Sequence, residues 1–349
     1  MTIRLGLIGA GRMGQVFAEH VAYHVPGAIL AAVADVNAAR ASEVARRYGA
    51  QASYAHYADL LARDDIDAVL VITPSNTHVE VVKAAAAAGK HIFCEKPLAL
   101  TVAGCEEAIT ATEAAKVKLY IGFMRRFDAA YRAAKQQIEA GVIGRPVMFK
   151  AVGRDSKRTD LEYARRENSG GLLLDMGIHD FDLARWLMGS EVTRVHTEGG
   201  CLVYAELSEV GDIDNAVVNL RFASGAVGNV DVSRNAVYGY DIRTEVLGSE
   251  GALMIGKLQQ TAILTLTRKG VQHDTIPYFM ERFGEAYAEE IRDFVACVRE
   301  DRPPTITGYD ARAATAIGVA ATRSLDEGRP VWVSEELTDV GKDRGTDND

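Results

Sequence analysis

The sequence predicts an α/β protein in two parts: a doubly wound parallel sheet at the N-terminus, then an α+β domain built on an antiparallel sheet with helices. Three observations predict it. Apolar strand-like runs alternate with helical segments of about ten residues through roughly the first third of the chain, the pattern of parallel strands joined by crossover helices. A glycine-rich turn follows the first of these runs. Beyond about residue 123 the alternation gives way to β-rich runs bounded by turn residues.

The first run, Leu5-Gly6-Leu7-Ile8, reads as a buried strand and leads into Gly9-Ala10-Gly11-Arg12-Met13-Gly14, with a helix-compatible segment over 15–25. In such a turn the first glycine permits the tight bend, the second lets backbone approach a pyrophosphate, and the third lets the helix pack closely. The unpaired N–H groups at the helix N-terminus favour an anion. The next run, 28–34, ends at Asp35, a carboxylate able to accept hydrogen bonds from a ribose diol and to repel a 2′-phosphate. Together these features predict a dinucleotide site that prefers NAD to NADP. Arg12, Asn37 and Arg40 are the neighbours that would admit a phosphate, and a turn kept for packing alone is the alternative reading.

Helical segments follow at 38–48 and 57–61, then a strand at 68–72, a helix at 77–88, a strand at 90–95, a helix at 102–115 and a strand at 118–122. The expected sheet has six strands, of which these runs place five. In the second part, 147–152 and 216–222 read as strands, Ile178–Met188 as a strong helix, and Ser224-Gly225 and Ser249-Glu250-Gly251 as hairpin turns. Helices return at Phe279–Arg299 and Gly308–Glu327. The expected domains are 1–123 and 124–338, with a polar, disordered tail at 339–349.

At 349 residues, 48% hydrophobic and 25% charged, the chain has the size and composition of a two-domain globular protein. Its apolar stretches fall short of the roughly 18–20 residues that span a bilayer, and its first strand begins too early for a signal peptide. A net charge of −9 without a basic stripe argues against nucleic acid or a membrane as partner. The four cysteines form no CxxC pair, which fits a cytoplasmic location and no structural zinc.

Three segments carry candidate chemistry. Thr73-Pro74-Ser75-Asn76 lies just past a strand's carboxyl end, where ligands bind in open α/β sheets, although such residues also build turns for local reasons. In Glu95-Lys96-Pro97, the lysine can donate to a substrate hydroxyl and stabilise negative charge on that oxygen, or be a solvated loop charge. Within Gly170-Gly171-Leu172-Leu173-Leu174-Asp175-Met176-Gly177-Ile178-His179-Asp180-Phe181-Asp182, a helix beginning near residue 176 would bring Asp175 and His179 together, four residues apart. A carboxylate beside the imidazole makes it a candidate general base. A helix cap and a satisfied core histidine are the alternatives. A metal held by Asp175, His179 and Asp182 is not expected, since a nicotinamide already supplies the electron sink.

The glycine turn, Asp35, Glu95-Lys96-Pro97 and the Gly-Gly-x-Leu-x-Asp-x-Gly-x-His-x-x-Asp segment together resemble the glucose–fructose oxidoreductase / inositol dehydrogenase family, over residues 3 to about 335. The resemblance implies a Rossmann domain followed by an α+β domain whose open, mostly antiparallel sheet makes oligomer contacts. It implies catalysis by Lys96, Asp175 and His179, and a cis bond before Pro97. The implied cofactor contacts are Gly9, Gly11, Arg12, Met13, Gly14, Asp35, Val36, Thr73, Pro74, Asn76, His78, Glu95 and Lys96. Within the family the chain most resembles inositol dehydrogenases, through Gly122-Phe123-Met124-Arg125-Arg126-Phe127-Asp128, Tyr238-Gly239-Tyr240-Asp241 and Arg282-Phe283 leading into Ala286-Tyr287-x-x-Glu290-Ile291. That implies a polyol pocket of Lys96, Arg126, Asp155, Asp175, His179, Tyr238 and Tyr240, with an ion pair for Arg126 and Asp128 and ordinary sheet positions for the tyrosines as the alternatives. The chain departs from the pattern at Gly153-Arg154-Asp155 and Gly170-Gly171, which leaves the stereoisomer open. The expected activity is NAD-dependent oxidation of a ring hydroxyl of a small polyol or sugar, such as myo- or scyllo-inositol, by a homo-oligomer, a tetramer ahead of a dimer. An aldose or pyranose dehydrogenase and a non-catalytic nucleotide-sensing regulator are the other readings.

Overall fold

A computed structural model describes residues 2–338; the expected tail at 339–349 lies outside the described residues. The chain forms two compact units, 1–127 with 285–315, and 128–284 with the chain from 316 onward.

The first unit carries a parallel sheet of β1 (Ile3–Ile8), β2 (Ala28–Ala34), β3 (Ala52–Tyr54), β4 (Ala68–Val71), β5 (His91–Glu95) and β6 (Leu119–Gly122), in the order β3-β2-β1-β4-β5-β6. The intervening helices are α1 (Arg12–Tyr23), α2 (Ala38–Tyr48), α3 (Tyr57–Leu61), α4 (His78–Ala87) and α5 (Val102–Ala114). β4 is buried at every position, as its unbroken apolar run requires of a strand covered on both faces. The sixth strand, which no apolar run announced, is β3: three residues at the sheet edge, none of them fully buried. The strand order reverses between β1 and β4, the switch point at which open α/β sheets form their ligand crevice. The Lys96–Pro97 bond is cis.

The second unit contains α6 (Ala129–Glu139), β7 (Pro146–Arg154), the short helices α7 (Leu161–Ala164) and α8 (Arg166–Ser169), α9 (Ile178–Met188), β8 (Val192–Gly200), β9 (Asn215–Phe222), β10 (Val227–Ser233), β11 (Asp241–Gly248) and β12 (Ala252–Ile255). A small exposed hairpin of β13 (Thr265–Thr267) and β14 (Gly270–Gln272) precedes α10 (Phe279–Arg299) and α11 (Gly308–Glu327), whose residues within 285–315 belong to the first unit, and then β15 (Val331–Trp332) and α12 (Val333–Thr338). The main sheet runs β12-β11-β7-β10-β9-β8-β15, antiparallel throughout except for the parallel β7–β10 pair. Both anticipated hairpins are present: β9 and β10 pair across Ser224-Gly225, and β11 and β12 across Ser249-Glu250-Gly251. β9 alternates buried and exposed residues, the signature of a sheet covered on one face only. α9 lies on the covered face, so close that a Cβ at Gly153 would fall 2.5 Å from Asp180 Oδ2. That approach accounts for the glycine at this departure from the family pattern.

Candidate active site

The glycine turn divides its labour among three positions. Gly9 has φ +97°, a left-handed conformation, and a Cβ there would lie 2.4 Å from the Ile72 carbonyl oxygen. A Cβ on Gly14 would lie 2.0 Å from the Gly9 carbonyl oxygen, so the third glycine sets how closely α1 meets the turn. A Cβ on Gly11 would meet nothing within 4 Å. The middle glycine therefore serves no internal contact and leaves free space at the α1 N-terminus, where Arg12 and Met13 begin the helix. These residues fit a dinucleotide pyrophosphate.

Asp35, buried at the end of β2, accepts from Ala10 N–H (2.7 Å), Asn37 N–H (2.8 Å) and Arg40 Nη2 (2.7 Å). Burial opposes its ionisation, but Arg40 and the two amides outweigh it and hold the carboxyl below its ordinary range. The following Val36 is 92% exposed. Past β4, Thr73 and Pro74 lead into a single 3-10 turn at Ser75–Thr77 that carries Asn76. Buried His78 places Nδ1 2.7 Å from the Pro97 carbonyl and Nε2 2.9 Å from the Thr73 carbonyl. It thus ties together the loops after β4 and β5, and burial, aided by Lys96, lowers its pKa. Glu95 ends β5, and its Oε2 accepts from the Lys96 N–H at 3.0 Å.

In the second unit, the helical path begins earlier than residue 176. It starts at Gly171 and widens into one π-turn over Leu173–Gly177 before α9. Asp175 lies inside the π-turn and His179 in the first turn of α9. Such turns bulge a helix locally and recur at functional sites. Gly170 (φ +80°) and Gly171 (φ +76°) make the entry, and a Cβ on Gly171 would press within 2.8 Å of Asp212, whose carboxylate caps the Leu172 N–H at 2.7 Å. Asp175 accepts from the Tyr163 hydroxyl at 2.9 Å and from Arg234 Nη1 at 3.1 Å. Arg234, 1% exposed, also reaches Asp212 at 3.3 Å. Burial pushes the Asp212 carboxyl above its ordinary range, and Arg234 opposes it. The Asp175 carboxylate is therefore fixed on two sides, four residues before a buried histidine.

Two family models cover the chain: an oxidoreductase family, NAD-binding Rossmann fold, at 3–123, and the same family's C-terminal alpha/beta domain at 135–333. The chain belongs to the glucose–fructose oxidoreductase / inositol dehydrogenase family. It is 42% identical to a myo-inositol 2-dehydrogenase of Thermotoga maritima over 96% of this chain and 100% of that one. It is 41% identical to a scyllo-inositol 2-dehydrogenase (NAD(+)) of Bacillus subtilis over 97% and 98%. The crystal structure of scyllo-inositol dehydrogenase from Lactobacillus casei with bound NAD(H) and scyllo-inositol superposes with a TM-score of 0.91, at 30% identity, covering 96% and 100% of the two chains. The cofactor of this oxidoreductase is NAD.

The other residues carried over from the family fall in different places. Arg126 is buried and pairs with Asp310 at 3.0 Å, while Asp128 caps α6 and pairs with Arg282 at 2.5 Å, so the two neighbours do not pair with each other. The Asp155 N–H donates to the Ser233 carbonyl at 2.8 Å, and its own carbonyl accepts from Ala236 N–H at 2.9 Å. Tyr240 is buried against Tyr278 and Phe283, each at 6.2 Å between ring centroids. Tyr238 is half-exposed; its hydroxyl donates to Asp241 (2.9 Å) and accepts from Arg154 (3.0 Å), which also pairs with Asp231. Arg154 follows Gly153 in β7 and so faces the open side of the sheet, away from α9, which puts the Tyr238 hydroxyl on the other side from His179.

Sequence reasoning missed Tyr163, Asp212 and Arg234. One of these was legible: Val230, Val232 and Arg234 alternate along β10 and beyond, and the first two are buried, so strand periodicity turns Arg234 inward as well. Nothing in the local sequence marks Tyr163 or Asp212, which reach Asp175 and Arg234 from separate segments.

Proposed function

We propose that this chain is an NAD-dependent inositol 2-dehydrogenase that oxidises one ring hydroxyl of a cyclic polyol, myo- or scyllo-inositol, to the ketone. What carries the reading is the Asp175 cluster: a carboxylate fixed by Arg234 and Tyr163 four residues before His179, in a chain matched over nearly its full length by inositol 2-dehydrogenases. His179 accepts the hydroxyl proton, and the anchored Asp175 holds a negative charge that favours the imidazolium then formed. Lys96 donates to the reacting oxygen and offsets its developing charge. The nicotinamide supplies the hydride acceptor. Asp35 receives the adenosine ribose diol, and the space at Gly11 takes the pyrophosphate.

The working form is a cytoplasmic homo-oligomer, a tetramer ahead of a dimer, assembled through the open face of the second unit's sheet. A trough of about 440 Å³ runs along that face, lined by Lys150, Arg194, His196, Asn219 and Arg221 among others. Among the described residues no helix is long and apolar enough to cross a membrane. The test is formation of reduced cofactor by the purified protein with NAD and, in parallel, NADP, on myo-, scyllo- and chiro-inositol, D-glucose, L-glucose and D-xylose. Turnover on inositols with NAD is expected. Turnover on sugars alone would replace the polyol reading with an aldose dehydrogenase, and silence on all six with NAD still bound would favour a regulatory binder.

A further inference from the structure

The first unit buries two carboxyl groups that the proposed chemistry leaves unused. Glu290 lies on α10 with no exposed surface, and neither of its carboxyl oxygens has a hydrogen-bond partner; Glu95 Oε1 is also buried without one. The surroundings are aromatic. Tyr287, one turn before Glu290, packs on Phe17, and Phe294, one turn after it, packs on Phe93 and Tyr120. The titratable groups acting on the pair or acted on by it are Lys96 and Cys94 beside Glu95, and Tyr120, whose hydroxyl is turned to Asp293 at 2.7 Å. Lys96 is the sole cation among these groups.

Two carboxylates in such surroundings cannot both ionise: burial raises both pKa values, that of Glu95 against the pull of Lys96, and repulsion from Glu95 raises that of Glu290 further. Three carboxyl oxygens are left without a donor, and a proton lying between the two groups gives one oxygen of each a partner.

We propose that Glu95 and Glu290 hold one proton between them, Glu290 serving as the proton holder, so that Glu95 presents a single negative charge as the counter-charge of Lys96 and keeps its Oε2 as acceptor for the Lys96 N–H. Glu290 is then a positioning residue acting on Lys96 through Glu95. This rests on the role proposed for Lys96, but its physical core, a protonated buried carboxyl group, stands apart from any substrate. The stretch Ala286-Tyr287-x-x-Glu290-Ile291 acquires a purpose on this reading: its glutamate supplies a proton rather than a charge.

Infrared spectroscopy of the full-length protein at neutral pH, compared with Glu290→Gln, tests the pair. The wild type is expected to show a protonated-carboxyl stretch that is lost in Glu290→Gln, whose amide donates to Glu95 Oε1 in place of the proton. Because that amide supplies the same donor, the acid limb of the turnover profile stays near that of the wild type in Glu290→Gln. Glu290→Leu, which cannot donate, leaves the Glu95 carboxylate less stabilised and is expected to move the acid limb up by about one pH unit or more. Absence of the band in the wild type, or its persistence in Glu290→Gln, overturns the proposal. An acid limb that does not move in Glu290→Leu refutes the positioning role. Failure of the function reading looks different: no turnover on any polyol, with the band present.

Discussion

Three glycines spaced within six residues should respond to alanine in three separable ways. At Gly14 the added Cβ would lie 2.0 Å from a backbone oxygen and 2.9 Å from the carbon bearing it, and backbone cannot rotate away as a side chain can. Relief requires moving α1 off the turn, at a cost of roughly 4 kcal/mol or more, a large part of the 5–15 kcal/mol that a domain possesses. At Gly9 a backbone strain of about 1–3 kcal/mol for a left-handed non-glycine residue adds to a 2.4 Å approach to the Ile72 carbonyl. At Gly11 neither term applies, because φ is −67° and nothing lies within 4 Å of the new methyl group. Gly11→Ala should therefore keep wild-type stability, or gain up to about 1 kcal/mol from a less flexible unfolded chain. Its methyl group would occupy the pyrophosphate's space, and NADH affinity should fall by about 10- to 100-fold, or roughly 1.4–2.8 kcal/mol. Thermal unfolding and a fluorescence titration with NADH measure the two quantities on the same samples. Wild-type NADH affinity in Gly11→Ala, or wild-type stability in Gly14→Ala, would refute the reasoning.

Other substitutions probe the remaining contacts. Asp35→Ser removes the charge that repels a 2′-phosphate and frees Arg40 from its 2.7 Å pair, so the ratio of turnover with NADP to that with NAD should rise by about tenfold or more. Arg234→Met strands Asp175 and Asp212 without their shared cation, and should cost about 3–5 kcal/mol by chemical denaturation, with Arg234→Lys recovering part of it. The Glu95–Glu290 pair makes stability pH-dependent in a stated direction. Both folded pKa values are raised, so the folded chain binds more protons than the unfolded one above the ordinary glutamate range, and stability is lost as pH rises through the folded values. Each pKa unit of elevation contributes about 1.4 kcal/mol, and Glu290→Gln should flatten the alkaline side of the melting-temperature profile.

Much of the first unit was legible because each feature there is local. An unbroken apolar run marks β4, a glycine at φ +97° marks the turn after β1, and Asp35 stands where β2 ends. The strand β3 was not, since three partly exposed residues carry no periodic signal and pair only because β2 offers an edge. In the second unit the two hairpins announced themselves through their turn residues. The β7–β10 parallel pairing did not, because it joins strands more than seventy residues apart, and no local pattern encodes the partner. The segment from Gly170 to Asp182 was read as a helix start, yet the π-turn that carries Asp175 depends on Asp212 and Arg234 approaching from elsewhere in the chain.

By itself the sequence determined the alternation of strands and helices, the glycine turn with its acidic partner, and the residue types able to bind a dinucleotide and move a proton. These follow from backbone sterics, from periodicity and from side-chain chemistry, all of which act within a few residues. Only the tertiary structure decided that Asp175 is held by Tyr163 and Arg234, that Arg126 pairs with Asp310 rather than Asp128, and that Glu95 and Glu290 are both buried with carboxyl oxygens left without a partner. Burial and pairing set the charge of an ionisable group, and both are properties of neighbours brought from distant parts of the chain.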